Sequence, residues 1–343
     1  ARPRVLAPRT LKLRRNQIHA AITALVASGT DRASIASLAD LVTEDAFKSI
    51  LRRRHNAVAG QENNFNRDLA ESLVQIAREW VKVEPNHLAE LKRMAGRVPM
   101  PASGLTGKNK RILRQFDDPA VLQRLHKLPA RLWSEVARDP QANFRTLAKA
   151  QTALAIAMLS YMPLRLHNLA GLKFGTHLFL HDNVRATSTL EIPASEVKNK
   201  TELAFDIPQP LAKMLIDYRD RIARKIIGKP PERLFVKADG TPKSQAMVAV
   251  LIKTYLHKRA GIEFTPHLFR HLSAKIILDA EPGSFEIVRQ MLGHKNLKTT
   301  VASYTGIDSR RAGRHHQHLI DTALAEQAQT RQRKNPIKTS HRQ

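Results

Sequence analysis

From Asn16 to about Gly96, apolar residues return every three to four positions in five successive short stretches: "NQIHAAITALVASG", "ASIASLADLV", "EDAFKSILRRRHNAV", "NRDLAESLVQIAREWVKV" and "PNHLAELKRMAG". That spacing lines one face of a helix and would scatter over both faces of a strand. Most of the stability of short helices comes from packing, so their apolar faces are expected to pack on one another. Asp31, Thr43 and Asn86 are placed to cap helix starts, and Gly96 to stop the last helix. Residues 16–96 therefore read as a small all-helical domain.

The periodicity then lapses. "RVPMPASGLTGKNKRILRQ" concentrates Pro, Gly, Ser and Lys, and residues 97–116 are expected to be a linker. A second domain is expected over 117–325, opening with helices at "AVLQRLHKL", "ARLWSEVARD" and "RTLAKAQTALAIAMLSYM". Only "TSTLEIPASEVKNKTELAFDIP", residues 187–208, alternates β-favouring residues about a polar centre, which predicts a short antiparallel hairpin or three-stranded sheet. Helices resume at "QPLAKMLIDYRDRIARKII" and "SQAMVAVLIKTYLHKRAG". The fold class is thus mainly α with a small antiparallel β-sheet (α+β), in two domains. They are flanked by a basic N-terminal arm over 1–15 and a basic C-terminal tail over 326–343. One more helix, "HHQHLIDTALAEQA", is expected ahead of that tail.

Charge narrows the partner. The 343 residues hold 57 Lys and Arg against 30 Asp and Glu, a net charge of +27, and such a field attracts a polyanion such as nucleic acid. There is no cysteine, which excludes disulfides and thiolate chemistry and fits a reducing cytoplasm, with the protein associated with the nucleoid. The longest apolar run, residues 147–164, carries Lys149, Gln151 and Pro163 and reads as a buried helix rather than a membrane span. "ARPRVLAPRTLKLRR" is basic throughout and has no apolar run of a secretion signal.

Chemistry-bearing residues gather in the second domain. In "FTPHLFRHLSAKIILD", Pro266 stands where a helix begins, which leaves His267 and Arg270 one turn apart on the same face. His267 and His271 have the i, i+4 spacing of a metal pair, but no third ligand accompanies them, and no metal or other cofactor is expected. Arg165 follows Pro163 in "YMPLRLHNLAGLKF", where Leu164, Leu166, Leu169 and Leu172 give a helical apolar face. Lys198 and Lys200 lie at the tip of the predicted hairpin. In "MLGHKNLKTTVASYTGID", Gly293 ends a helix, His294 follows in the turn and Tyr304 closes the next short helix.

Together these residues supply cations, acid–base groups and a nucleophile, with no carboxylate cluster to hold magnesium. The set suits attack on a DNA phosphodiester by a tyrosine hydroxyl. Two guanidiniums can grip both nonbridging oxygens and favour the pentacovalent transition state. A tyrosine, protonated at neutral pH, needs a base, for which His267 is placed, and the leaving 5′ oxygen needs a proton that a hairpin lysine can give. Covalent capture as phosphotyrosine conserves the bond energy for rejoining.

"LRLHNLAGL", "VKNK", "HLFRH" and "LGHKNLKTTVASY" occur in the order and approximate spacing of the tyrosine recombinase family, also called phage integrases, which the second domain resembles. The resemblance implies that Arg165 and Arg270 are the catalytic arginines, Lys198 the hairpin lysine, His267 and His294 the histidines and Tyr304 the nucleophile. It also implies paired double-stranded DNA sites as substrate and a homotetramer on synapsed DNA. The tail from about Arg310 would then dock on a neighbouring protomer, and the helical first domain would be the other half of a clamp around the duplex. Two features depart from the pattern. Asn168 stands where an acidic residue is common, and Tyr304 lies one position further from His294 than is usual. The hairpin register leaves Lys200 open as the alternative to Lys198: the "KNK" turn favours Lys198, and counting back from Pro208 favours Lys200.

Two other readings share this inventory, a type IB-like DNA topoisomerase and a cleavage-deficient DNA-binding protein of the same fold. Both, like the recombinase, grip the phosphate backbone. Affinity for duplex DNA should therefore fall by about 10³- to 10⁵-fold between low and physiological salt, as when roughly 6–10 phosphates are neutralised. A salt titration of binding measures this, and a flat response would remove phosphate contacts as its basis.

Overall fold

The computed structural model describes residues 8–59, 64–99, 104–183, 185–304 and parts of 313–324. The chain divides into two compact units on either side of the Ser103–Gly104 bond, within the expected linker. Residues 1–7 of the arm and the tail 326–343 lie outside the described residues. At the described positions between 313 and 324 the backbone is helical.

The first unit is built from α1 (Pro8–Val26), α2 (Glu44–Ala57), α3 (Asn64–Ile76) and α4 (Pro85–Gly96). Leu41, Phe47, Ile50, Leu69, Leu73 and Leu91, the apolar positions of the predicted periodicity, are buried together at its centre. Helix α1 starts at Pro8, so the helix reaches back into the stretch expected to be a basic arm. Thr43 caps α2 by accepting from the Ala46 N–H. Helix α4 has its cap at Glu84 with Pro85 in the first turn, rather than at Asn86. "ASIASLADLV" is not an α-helix but two 3-10 turns, Arg32–Ser34 and Ala39–Leu41. The Asp40 carboxylate accepts the backbone N–H groups of Ala36 and Ser37 and the Ser37 hydroxyl, and so withdraws donors that a helix would need.

The second unit opens with α5 (Gly107–Arg114), a helix inside the expected linker, capped by Thr106. Next come α6 (Pro119–Ala137), α7 (Phe144–Tyr161) and α8 (Leu166–Ala170). The two helices expected around Pro129 are one, α6, with that proline inside it. Leu125, Leu128 and Leu132 on either side of Pro129 are buried in the same core, and this packing outweighs the hydrogen bond that proline cannot donate. Three strands, β1 (Leu178–Phe179), β2 (Ser188–Ile192) and β3 (Leu203–Ile207), form an antiparallel sheet in the order β1-β2-β3, with Leu190 opposite Leu178 on one side and Phe205 on the other. Then follow α9 (Gln209–Asp217), a π-helical stretch Tyr218–Ala223, α10 (Arg224–Ile227), α11 (Gln245–Ala260), α12 (Leu268–Ala280), α13 (Phe285–Met291) and α14 (Leu297–Tyr304).

Helix α7 is the axis of this unit. Its residues 150–159 are all buried, and α6, α9, α11 and α12 pack around it. A helix apolar on every side must be wrapped by others, and no described helix is long and apolar enough to cross a membrane. One polar group in that core, Gln151, donates to the Tyr218 hydroxyl (2.6 Å) and the Val236 carbonyl (2.9 Å) and accepts from Lys243 Nζ. The Tyr218 hydroxyl in turn donates to the Leu234 carbonyl at 2.8 Å. Removing that hydroxyl as Tyr218→Phe leaves Gln151 and Leu234 short of a partner. It should cost about 1–3 kcal/mol of stability. Urea melts of wild type and variant read the difference, and coincident midpoints would show that the network adds nothing.

Candidate active site

The site lies where three chain segments meet in the second unit. Helix α7 ends at Tyr161, and a short turn in which Leu164 N–H donates to Met162 O leads to Arg165, at the N-cap position of α8. Helix α12 begins just after His267 and carries Arg270 in its first turn. The third segment is the turn between α13 and α14, where Gly293 adopts φ +58°, a left-handed conformation that stops the helix.

Arg270 ties them together. The residue is only 5% exposed, and its guanidinium donates from Nη1 to the Pro163 carbonyl and from Nη2 to the Leu292 carbonyl, both at 2.6 Å. Two further side chains hold the next two carbonyls of the same turn. Asn199 Nδ2 donates to Gly293 O at 2.8 Å, and Arg289 Nη1 to His294 O at 2.9 Å. Three consecutive carbonyls are thus held by α12, the β2–β3 connection and α13. This fixes the backbone that presents His294.

His294 Nε2 stands 3.4 Å from Arg270 Nη2, and Nδ1 lies 2.9 Å from the hydroxyl of buried Thr300. Arginine can only donate, so Nε2 accepts and Nδ1 carries the proton, which assigns a neutral imidazole. Electrostatics agree. Burial, then Arg270, Arg165 and Arg289, push the His294 pKa down to about 4. Burial, Arg270 and Arg165 also lower that of His267. His271, ring to ring with His267 at 5.1 Å, is pushed down to about 4 by burial and by His267, Arg270 and His294. The charges of Arg165 and Arg270 therefore both act on His267 and His294, and the four residues share one site.

Arg165 is half-buried, and its Nη1 meets no acceptor among the described residues. A buried donor of this kind costs roughly 1–3 kcal/mol and is satisfied by an anion that brings its own oxygens. Asn168, which stands where an acidic residue is common, donates to the Glu196 carbonyl at 3.3 Å. Lys198 and Lys200 are both exposed in the β2–β3 connection. Lys200 has φ +55°, and its Nζ donates to Ser195 O at 3.3 Å. Tyr304 is the last residue of α14, and its side chain lies outside the described residues. Of the other tyrosines, Tyr218 is fully buried, its hydroxyl bonded and its pKa raised by burial, and Tyr255 packs against the core. Tyr161 is exposed at the end of α7. Among the described residues no three His, Asp or Glu side chains come together as a metal site.

Sequence reasoning missed Asn199, Arg289 and Thr300. Each works through a backbone carbonyl or a histidine that is distant in the chain or set by the turn geometry. The only signal was the place of Asn199 inside "VKNK" and of Thr300 inside "MLGHKNLKTT"; Arg289 lies just ahead of the second stretch and had none.

This is a cationic site of two guanidiniums and neutral imidazoles beside the helix that ends in Tyr304. The family model for the phage integrase family matches residues 137–311, about half of the chain, and the chain belongs to that family. It is therefore a tyrosine recombinase, one of the enzymes that break and rejoin DNA. Among solved structures, a lambda integrase dimer bound to a COC′ core site is 16% identical, with 90% of this chain and 91% of that one covered at a TM-score of 0.50. A lambda integrase tetramer bound to a Holliday junction is 18% identical, with 88% and 73% covered, also at 0.50. At that identity the likeness is one of fold. No curated protein matches the sequence.

A histidine whose pKa falls on folding takes up its proton first in the unfolded chain as pH drops. Its contribution to stability is full above about 6.5 and is lost toward about 4. The melting temperature should accordingly fall between pH 6.5 and 5, less steeply in His294→Gln than in wild type. Melting curves across that range test this, and parallel curves would mean that His294 binds protons equally in both states.

Proposed function

We propose that the chain is a site-specific recombinase or integrase that cleaves and rejoins double-stranded DNA by transesterification, without a metal ion. The observation that carries this reading is the convergence of Arg165, His267, Arg270 and His294 on one site next to the helix that Tyr304 ends. The Tyr304 hydroxyl attacks the scissile phosphorus. His267, neutral because burial and two arginines disfavour its charged form, takes the phenolic proton. The new O–P bond makes a 3′-phosphotyrosine, the P–O5′ bond breaks, and the 5′ oxygen leaves with a proton from Lys198.

Arg165 and Arg270 bind the nonbridging oxygens, and the phosphate supplies the acceptor that Arg165 Nη1 lacks. The phosphate charge also raises the His294 pKa again, so that its imidazole can donate to the same oxygens. Attack by the freed 5′ hydroxyl of another strand reverses every step and releases the tyrosine. Both faces of the exchange need paired sites, which fits a homotetramer on synapsed DNA. In this reading residues 16–96 are the core-binding domain, 97–116 the linker and 117–325 the catalytic domain. The basic segments 1–15 and 326–343 add phosphate contacts, and the enzyme works on DNA in the cytoplasm.

Replacing Tyr304 by Phe removes the attacking oxygen and keeps the ring. DNA binding and fold should persist while the covalent adduct disappears. Wild type and Tyr304→Phe are incubated with a nicked suicide duplex, denatured and examined for the DNA-linked protein and its peptide. An adduct that survives in the variant, or maps to Tyr161, Tyr218 or Tyr255, would overturn the assignment.

A further inference from the structure

Helix α14 ends at Tyr304, and Thr300, one turn earlier, is fully buried although its side chain is polar. A threonine inside a helix ordinarily turns its hydroxyl back to the carbonyl one turn before it. Thr23 does so toward His19 O at 2.8 Å, and Thr152 toward Ala148 O at 2.7 Å. Thr300 instead pairs with a side chain outside its helix, its Oγ1 2.9 Å from Nδ1 of His294. The other ring nitrogen, Nε2, stands 3.4 Å from Arg270 Nη2. The imidazole is thus gripped at both nitrogens, by α12 on one side and by α14 on the other.

We infer that Thr300 is a positioning residue for strand cleavage: its hydroxyl oxygen accepts the Nδ1 proton of His294, leaves Nε2 turned toward Arg270 and the scissile phosphate, and ties that ring to the helix that carries Tyr304. The inference rests on the proposed roles of Tyr304 as nucleophile and His294 as a ligand of the phosphate.

A neutral imidazole carries one proton, on either nitrogen. On Nε2 it would face a guanidinium that can only donate. On Nδ1 without Thr300 it would be a buried donor with no acceptor, which is costly. Only the Nδ1 proton with the threonine oxygen in place satisfies both ends. At neutral pH the ring is uncharged, since burial and three arginines push its pKa down to about 4. When the phosphate arrives, the second proton goes to Nε2, and the bond from Nδ1 to Thr300 is unchanged because the hydroxyl accepts from either form of the ring. The same bond fixes the backbone of α14 one turn ahead of Tyr304, and a misplacement of about 1 Å between reacting groups can cost on the order of 10² in rate.

Full-length wild type, Thr300→Val, Thr300→Ser, His294→Ala and the double variant Thr300→Val/His294→Ala are compared in two measurements. The first is the single-turnover rate of covalent adduct formation on a nicked suicide duplex, with DNA binding followed in parallel. The second is the nitrogen NMR spectrum of protein labelled in its histidines, at neutral pH, with the His294 signals identified by their loss in His294→Ala. Thr300→Val keeps the shape of the side chain and removes the oxygen. It should bind DNA normally and form the adduct about 10- to 100-fold more slowly. Thr300→Ser keeps the hydroxyl and should recover most of that rate. The double variant should be no slower than His294→Ala alone, because two residues that act through one contact are not additive. The wild-type spectrum should show His294 protonated at Nδ1.

Additive losses in the double variant, a serine as slow as the valine, or a valine as fast as wild type would each overturn the positioning role. So would a neutral His294 protonated at Nε2, a result read from wild type alone and therefore decisive even where Thr300→Val fails to fold. The two ideas fail differently. A Tyr304 adduct formed at full rate by Thr300→Val leaves the proposed function standing and removes only the role of Thr300. If wild type forms no adduct, or forms it at another tyrosine, the proposed function falls and this inference with it.

Discussion

The burial of the Arg270 guanidinium is the constraint on which the rest of the site depends. A charged residue at 5% exposure can stay only if its donors find acceptors, and the acceptors here are backbone carbonyls far apart in the chain. Pro163 O closes the end of α7, and Leu292 O belongs to the turn after α13. Satisfying one side chain therefore draws the start of α12, the start of α8 and the α13–α14 turn to one point. Arg165 lies two residues beyond the first acceptor and His294 two beyond the second, so both are delivered by the same bonds.

The cost of this arrangement is electrostatic. Two guanidiniums and three imidazoles crowd together, and no carboxylate is among the groups that shift the three histidines. The repulsion is relieved by keeping the imidazoles neutral, which burial also favours. A neutral imidazole can take a proton, and an arginine with an unmet buried N–H favours an anion. The crowded positive charge and the unmet N–H thus recommend the site for a phosphate, and the scaffold around α7 holds it in place.

The connection between β2 and β3 couples the two walls. Asn168 reaches it from the Arg165 side, and Asn199 reaches from it to the His294 side. Because both links end on carbonyls, they depend on backbone position rather than on the identity of the residue reached. Neighbouring residue types therefore give no hint of them.

Much of the architecture was legible in the residues alone. Apolar spacing marks α2, α3, α4 and α7, alternation marks the hairpin, and "HLFRH" with "LGHKNLKTTVASY" marks the segments that form the site. These features are local, set by backbone periodicity and by which residues lie one turn apart. The exceptions are places where a non-local or competing bond prevails. The Asp40 carboxylate turns "ASIASLADLV" into 3-10 turns, and core packing on both sides carries α6 through Pro129. The sequence by itself determined the helical class, the small sheet, the positive charge and the reactive groups. Only the tertiary structure decided that Arg270 is a buried tie, that His294 is neutral with its proton on Nδ1, and that Asn199 closes the lysine turn on Gly293. Each of those depends on a contact between segments 22 to 94 residues apart, and no local pattern encodes the distance between them.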